Sequence, residues 1–161
     1  MNVFDGIVYI NLEKRKDRHK QMEAELKKCA VIPNKIFRIE GYDDELNGMR
    51  GCVYSHIKAL DFALNQGWRN VLVLEDDCLF IKNQEKIHSY IHHFLNHFKN
   101  DWDLFFLGTQ IHSFQKTDHE NYVRVIFSLR AHAYVVNGHY ILKLRNHFVS
   151  TYESLKDDLF L

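Results

Sequence analysis

The sequence predicts an α/β fold, a mostly parallel, Rossmann-type sheet flanked by helices, and three observations carry the prediction. Val71-Leu72-Val73-Leu74 is an unbroken apolar run ending in Glu75-Asp76-Asp77. It is too short for a helix and fits a strand buried on both faces, which requires helices on either side of its sheet. Apolar residues at helical spacing alternate with short strand-like runs along the chain. The resulting order is β, α, β, α, β, α, β, then β, β, α, so the late strands can pair antiparallel. With 161 residues, 46% of them hydrophobic, one domain with a sizeable core is expected over 1–161.

Composition excludes several classes. The formal net charge is zero, so binding of nucleic acid or an anionic membrane by bulk charge is not indicated. No apolar run approaches the roughly 20 residues of a transmembrane helix. Met1 to Gly6 is mixed and runs directly into a strand, so no leader is expected. Cys29, Cys52 and Cys78 are odd in number and lack zinc-ribbon spacing. They read as reduced thiols, and the expected location is cytoplasmic.

Ile7-Val8-Tyr9-Ile10 reads as the first strand, and Met22, Leu26 and Cys29 mark the apolar side of the helix after it. Asn11, Arg15 and Arg18 lie between the two, at the strand's carboxyl end, where open parallel sheets bind ligands. The two arginines are either surface charge or a diphosphate grip near a helix amino terminus. Lys35-Ile36-Phe37-Arg38-Ile39 alternates as a second strand, and Glu40 to Gly51 reads as a polar, mobile loop able to close over a ligand. Val53, Ile57, Leu60 and Leu64 then recur at helical spacing up to Gly67, a helix terminator. Ser55 and His56 fall in that helix's first turns.

The acidic run comes next. Three adjoining carboxylates repel one another unless something positive joins them, and a divalent cation with oxygen ligands meets that need. A solvated acidic turn is the alternative. Alternation along a strand points Glu75 and Asp77 the same way and Asp76 elsewhere.

Ile87, Ile91, Phe94, Leu95 and Phe98 predict the next helix. Its i, i+4 pairs His88/His92 and His93/His97 lie off the apolar stripe, and no glutamate completes a zinc motif. Trp102 to Gly108 reads as a strand ending in glycine, and Gln110 to Tyr122 as a loop. Val123 to Leu129 and Ala131 to Val136 read as two more strands. Ile141, Leu142, Arg145 and Phe148 suggest a last helix. The end of the chain pairs Asp157 and Asp158 with the apolar Leu159 and Phe160, which would dock a tail.

Four segments, in order, resemble one family: Val8-Tyr9-Ile10-Asn11-Leu12 with Arg15, Asp17 and Arg18; Gly51-Cys52-Val53-Tyr54-Ser55-His56; Val71 to Asp77; and Trp102-Asp103-Leu104 through Gly108. The pattern is similar to glycosyltransferase family 25, which includes lipooligosaccharide-type and procollagen galactosyltransferases. Ala133-Tyr134-Val135-Val136 and Asp157-Asp158-Leu159 fit its later motifs more loosely. The resemblance implies a GT-A-like fold and an inverting hexosyl transfer of galactose or glucose. The donor would be a UDP-sugar, with Mn2+ or Mg2+, and the acceptor a glycan, lipooligosaccharide or protein hydroxyl.

Glu75-Asp76-Asp77 stands at the family's DxD-type motif, which makes Glu75 and Asp77 the metal-side carboxylates. Asn11, Arg15, Arg18, Ser55, His56 and Asp76 would serve the donor. Asp157 or Asp158 would be the base that takes the acceptor's proton. The chain is short for this fold, minimal or truncated at its C-terminus, so a non-catalytic nucleotide-sugar or glycan-binding domain is the alternative.

Overall fold

A computed structural model of the protein describes residues 1–80 and 83–157, with only the backbone of Asp157. The strands are β1 (Gly6–Asn11), β2 (Ile36–Glu40), β3 (Asn70–Glu75), β4 (Leu104–Lys116) and β5 (Val123–Asn137). The helices are α1 (Lys16–Lys28), α2 (Gly48–Asn65), α3 (Gln84–Phe98) and α4 (Gly138–Asp157). All five strands form one sheet in the order β2-β1-β3-β5-β4. β1 is parallel to β2 and β3, while β5 is antiparallel to both β3 and β4. Four strands therefore share one direction and β5 alone is reversed.

Strand alternation divides the core into two layers. Ile7, Tyr9, Leu72, Leu74 and Val135 meet Met22 and Leu26 of α1 and Ile91 of α3. On the other face Val8, Val71, Val73, Tyr134 and Val136 meet Ala59, Leu60 and Ala63 of α2 and Ile141 of α4. β3 is covered on both sides, as its unbroken apolar run requires; truncating a leucine in such a position costs about 2–5 kcal/mol.

Both ends of α2 carry local caps, and its carboxyl end is where the sequence puts it. Asn47 caps α2 by accepting from the Arg50 amide, and Gly67, at φ +66°, ends it. There the Gly67 amide donates to Leu64 O and the Trp68 amide to Ala63 O, the paired bonds of a Schellman motif.

Four expectations need correction. Gly48 and Gly51 belong to α2, so the connecting loop is only residues 41–47. Gly51 is required there because a Cβ would meet the Tyr42 carbonyl oxygen at 2.7 Å. β4 does not end at Gly108, and residues 110–116 are not loop but continue the strand. The two strands read across 123–136 are one, β5, interrupted where Arg130 takes φ +64°. Thr109 holds that irregularity, its hydroxyl donating to Arg130 O at 2.6 Å. Residues 110–129 pair only with each other, so no core demand stamps periodicity on them. The ribbon curls back until Tyr122 meets the Phe94 and Phe98 rings of α3. Leu142, 56% exposed, lies off the buried stripe of α4, which Ile141 occupies.

Candidate active site

The carboxyl ends of β1, β2 and β3 meet at one edge of the sheet, with Asn11 opposite Glu40 and Ile10 opposite Glu75. Because β5 runs the other way, the start of its core segment reaches the same edge. Leu74 pairs with Ala133, and one step further sets Glu75 beside His132.

Asp76 turns toward α1. It is 7% exposed, and its two oxygens accept from Asn11 Nδ2 at 2.7 Å and Arg18 Nη1 at 2.9 Å. The same Arg18 nitrogen stands 3.4 Å from Asp77 Oδ2. Asn11 in turn accepts from Arg38 Nε at 3.0 Å, so a partly buried chain of polar groups runs from β2 through β1 to the acidic turn. Arg18 is thus a positive charge among the acids. Arg15 is not brought to them. Its guanidinium lies against Asp17, whose carboxyl it holds well below the usual carboxylate range.

Glu75 faces α2 and β5. His56 Nε2 lies 3.5 Å from Oε1, and His132 Nδ1 lies 3.5 Å from Oε2. His56 holds the Glu75 carboxyl below its ordinary pKa in spite of burial, and His132 acts in the same sense. Asp77 Oδ1 is 3.4 Å from His132 Nδ1. Ser55 lies apart from this cluster: its hydroxyl donates to Gly51 O and accepts from the Tyr42 amide, which latches loop 41–47 onto α2.

Among the described residues two groups have ligand atoms within 4.8 Å of one another: Cys52, His56 and Glu75, and Glu75, Asp77 and His132. The first fits a hard cation poorly. Its sulfur is a soft ligand, whereas hard cations take oxygen ligands. The second offers two carboxylates and a nitrogen, a donor set able to hold a divalent cation. It also contains a covered polar atom with no hydrogen-bond partner, His132 Nδ1.

An open cleft of about 450 Å3 lies beside the network, between Leu12–Lys14, Glu40–Asp43 and Lys58, with Tyr42 on its wall. α4 climbs to this edge, where Tyr152 packs 5.1 Å from the Tyr54 ring. Asp158, the Asp157 side chain, Leu159 and Phe160 lie outside the described residues. His132, Tyr134 and Arg38 are participants that sequence reasoning does not single out. Only the pairing of β5 with β3, and of β2 with β1, brings them in.

No protein-family model matches the chain. In class the chain is similar, at a distance, to a galactosyltransferase. That relative is human procollagen galactosyltransferase 2, 27% identical over an alignment of 129 residues that takes in 65% of this chain and 21% of that protein. The chain therefore spans about a fifth of the relative it matches. No helix among the described residues is long and apolar enough to cross a membrane.

Proposed function

We propose that this chain is a metal-dependent, inverting glycosyltransferase of GT-A type, moving galactose or glucose from a UDP-sugar to a glycan or protein hydroxyl. The observation that carries the reading is the convergence of Glu75, Asp77, Arg18 and His132 at the carboxyl edge of the sheet. The distant similarity to a galactosyltransferase supports it.

Glu75 and Asp77 supply the carboxylates for a divalent cation, which when bound neutralises charge developing on a diphosphate leaving group. Asp76, itself held by Asn11, holds Arg18 in place, so its guanidinium is oriented toward the same diphosphate at little further entropic cost. The cleft beside Leu12 and Tyr42 receives the nucleoside, with the exposed Tyr42 ring as a stacking face for the base. Asp157, the last residue of α4, or the next residue in sequence, Asp158, takes the proton of the acceptor hydroxyl on the opposite side of the sugar.

The test is a thermal-shift screen of UDP-sugars with and without Mn2+, followed by assay of sugar release. UDP should stabilise the protein only with the metal, by about 2.7 kcal/mol at a hundredfold excess over Kd. Asp77→Asn should remove that dependence and abolish transfer, and Glu75→Gln should do so less severely. No stabilisation by any UDP-sugar with Mn2+ overturns the proposal. Binding without sugar release or transfer points instead to a nucleotide-sugar-binding domain.

A further inference from the structure

We propose that His132 is a third metal ligand, binding through Nδ1 between Glu75 and Asp77, and that it makes the site prefer Mn2+ to Mg2+. The inference rests on the proposed function, in which those two carboxylates hold the metal.

The His132 ring is half-exposed, yet Nδ1 itself is covered and makes no hydrogen bond. It faces Glu75 Oε2 at 3.5 Å and Asp77 Oδ1 at 3.4 Å. Both separations exceed the ordinary N–H···O range of about 2.7–3.2 Å. They suit donors around a shared ion. Bonds of about 2.1 Å, at angles from octahedral to tetrahedral, separate neighbouring donors by roughly 3.0–3.4 Å.

The remaining oxygens of the two carboxylates face other groups. Glu75 Oε1 faces His56 Nε2 at 3.5 Å, and Asp77 Oδ2 faces Arg18 at 3.4 Å. Each carboxylate thus has one oxygen toward an outer neighbour and turns the other toward Nδ1, the placement that metal ligands with outer partners share. His56 is itself fixed by the Tyr134 hydroxyl at 2.8 Å. The donor set decides the ion. Mg2+ takes oxygen ligands and keeps its waters, whereas an imidazole nitrogen favours first-row transition metals.

Mn2+ binding is measured by EPR, with and without UDP, and Mg2+ affinity by competition. Pulsed EPR of the wild-type complex should show 14N coupling from one imidazole, and His132→Ala should lack it. His132→Ala should also weaken Mn2+ binding by roughly tenfold or more, the loss typical even of an outer-sphere partner, with Mg2+ affinity little changed. His132→Asp, which restores a ligand but an oxygen one, should bind both ions without preference.

Absence of 14N coupling in the wild type, its persistence in His132→Ala, or an unchanged Mn2+/Mg2+ ratio overturns the inference. Nitrogen-coupled Mn2+ without UDP-dependent stabilisation would leave the inference standing and remove the transferase reading. Mn2+-dependent UDP binding without nitrogen coupling would do the reverse.

Discussion

The hydroxyl of Tyr134 on β5 lies 2.8 Å from Nδ1 of His56 on α2, and this bond determines which imidazole nitrogen faces Glu75. A carboxylate only accepts, so Nε2 must carry the hydrogen turned toward Glu75 Oε1. When the ring carries only that hydrogen, Nδ1 accepts and Tyr134 donates. Burial pushes the Tyr134 phenol well above its ordinary pKa, so the donor is retained throughout the physiological range.

Tyr134→Phe keeps the ring that fills the core and removes only this donor. His56, 4% exposed, is left with an unsatisfied Nδ1. The variant should lose about 1–3 kcal/mol of stability, read as a lower denaturant midpoint with an unchanged slope. An unchanged midpoint would show that the bond contributes nothing net.

Arg18→Ala removes the cation that Asp76 and Asp77 share. UDP affinity, measured by calorimetry, should fall by about 1.5–3 kcal/mol, the value of a charge-assisted hydrogen bond. Unchanged affinity in a folded variant would return Arg18 to a purely structural pairing with Asp76.

Glu25 on α1 ties that helix to the segment after the acidic turn: Oε2 accepts from the Phe80 amide at 3.1 Å, and Oε1 pairs with Lys28. The Lys28 ammonium holds its carboxyl below the ordinary value against the opposing effect of burial, and the Phe80 amide helps. A depressed folded-state pKa contributes stability that is present above the unfolded value of about 4.3 and is lost as pH falls through the folded one. Glu25→Gln should therefore be less stable than wild type by about 1 kcal/mol at pH 7. That gap should close as denaturation is repeated below about pH 4. A pH-independent gap would mean that the charge on Glu25 is irrelevant.

Much of the fold is legible locally. The run Val71–Leu74 names a doubly covered strand, the spacing of Val53, Ile57 and Leu60 names a helix, and Gly67 names its end. Each signal is written within one turn or one pleat, the range over which side-chain direction obeys backbone periodicity. The acids at the end of β3 are legible for the same reason, because a strand buried on both faces delivers the next residues of the chain to the sheet's edge. The ribbon formed by residues 110–129 is not, since a strand paired outside the core carries no burial pattern.

Only the tertiary structure decides which groups surround the acids. Asp76 joins Asn11 and Arg18 from 65 and 58 positions away, while His132 stands beside Glu75 because Leu74 and Ala133 are in register. That register is set by the burial of whole strands against both helical layers, where a one-residue slip would turn Tyr134 and Val136 to the wrong face. No local pattern around His132 records that choice, so its place at the site comes from packing between segments far apart in the chain.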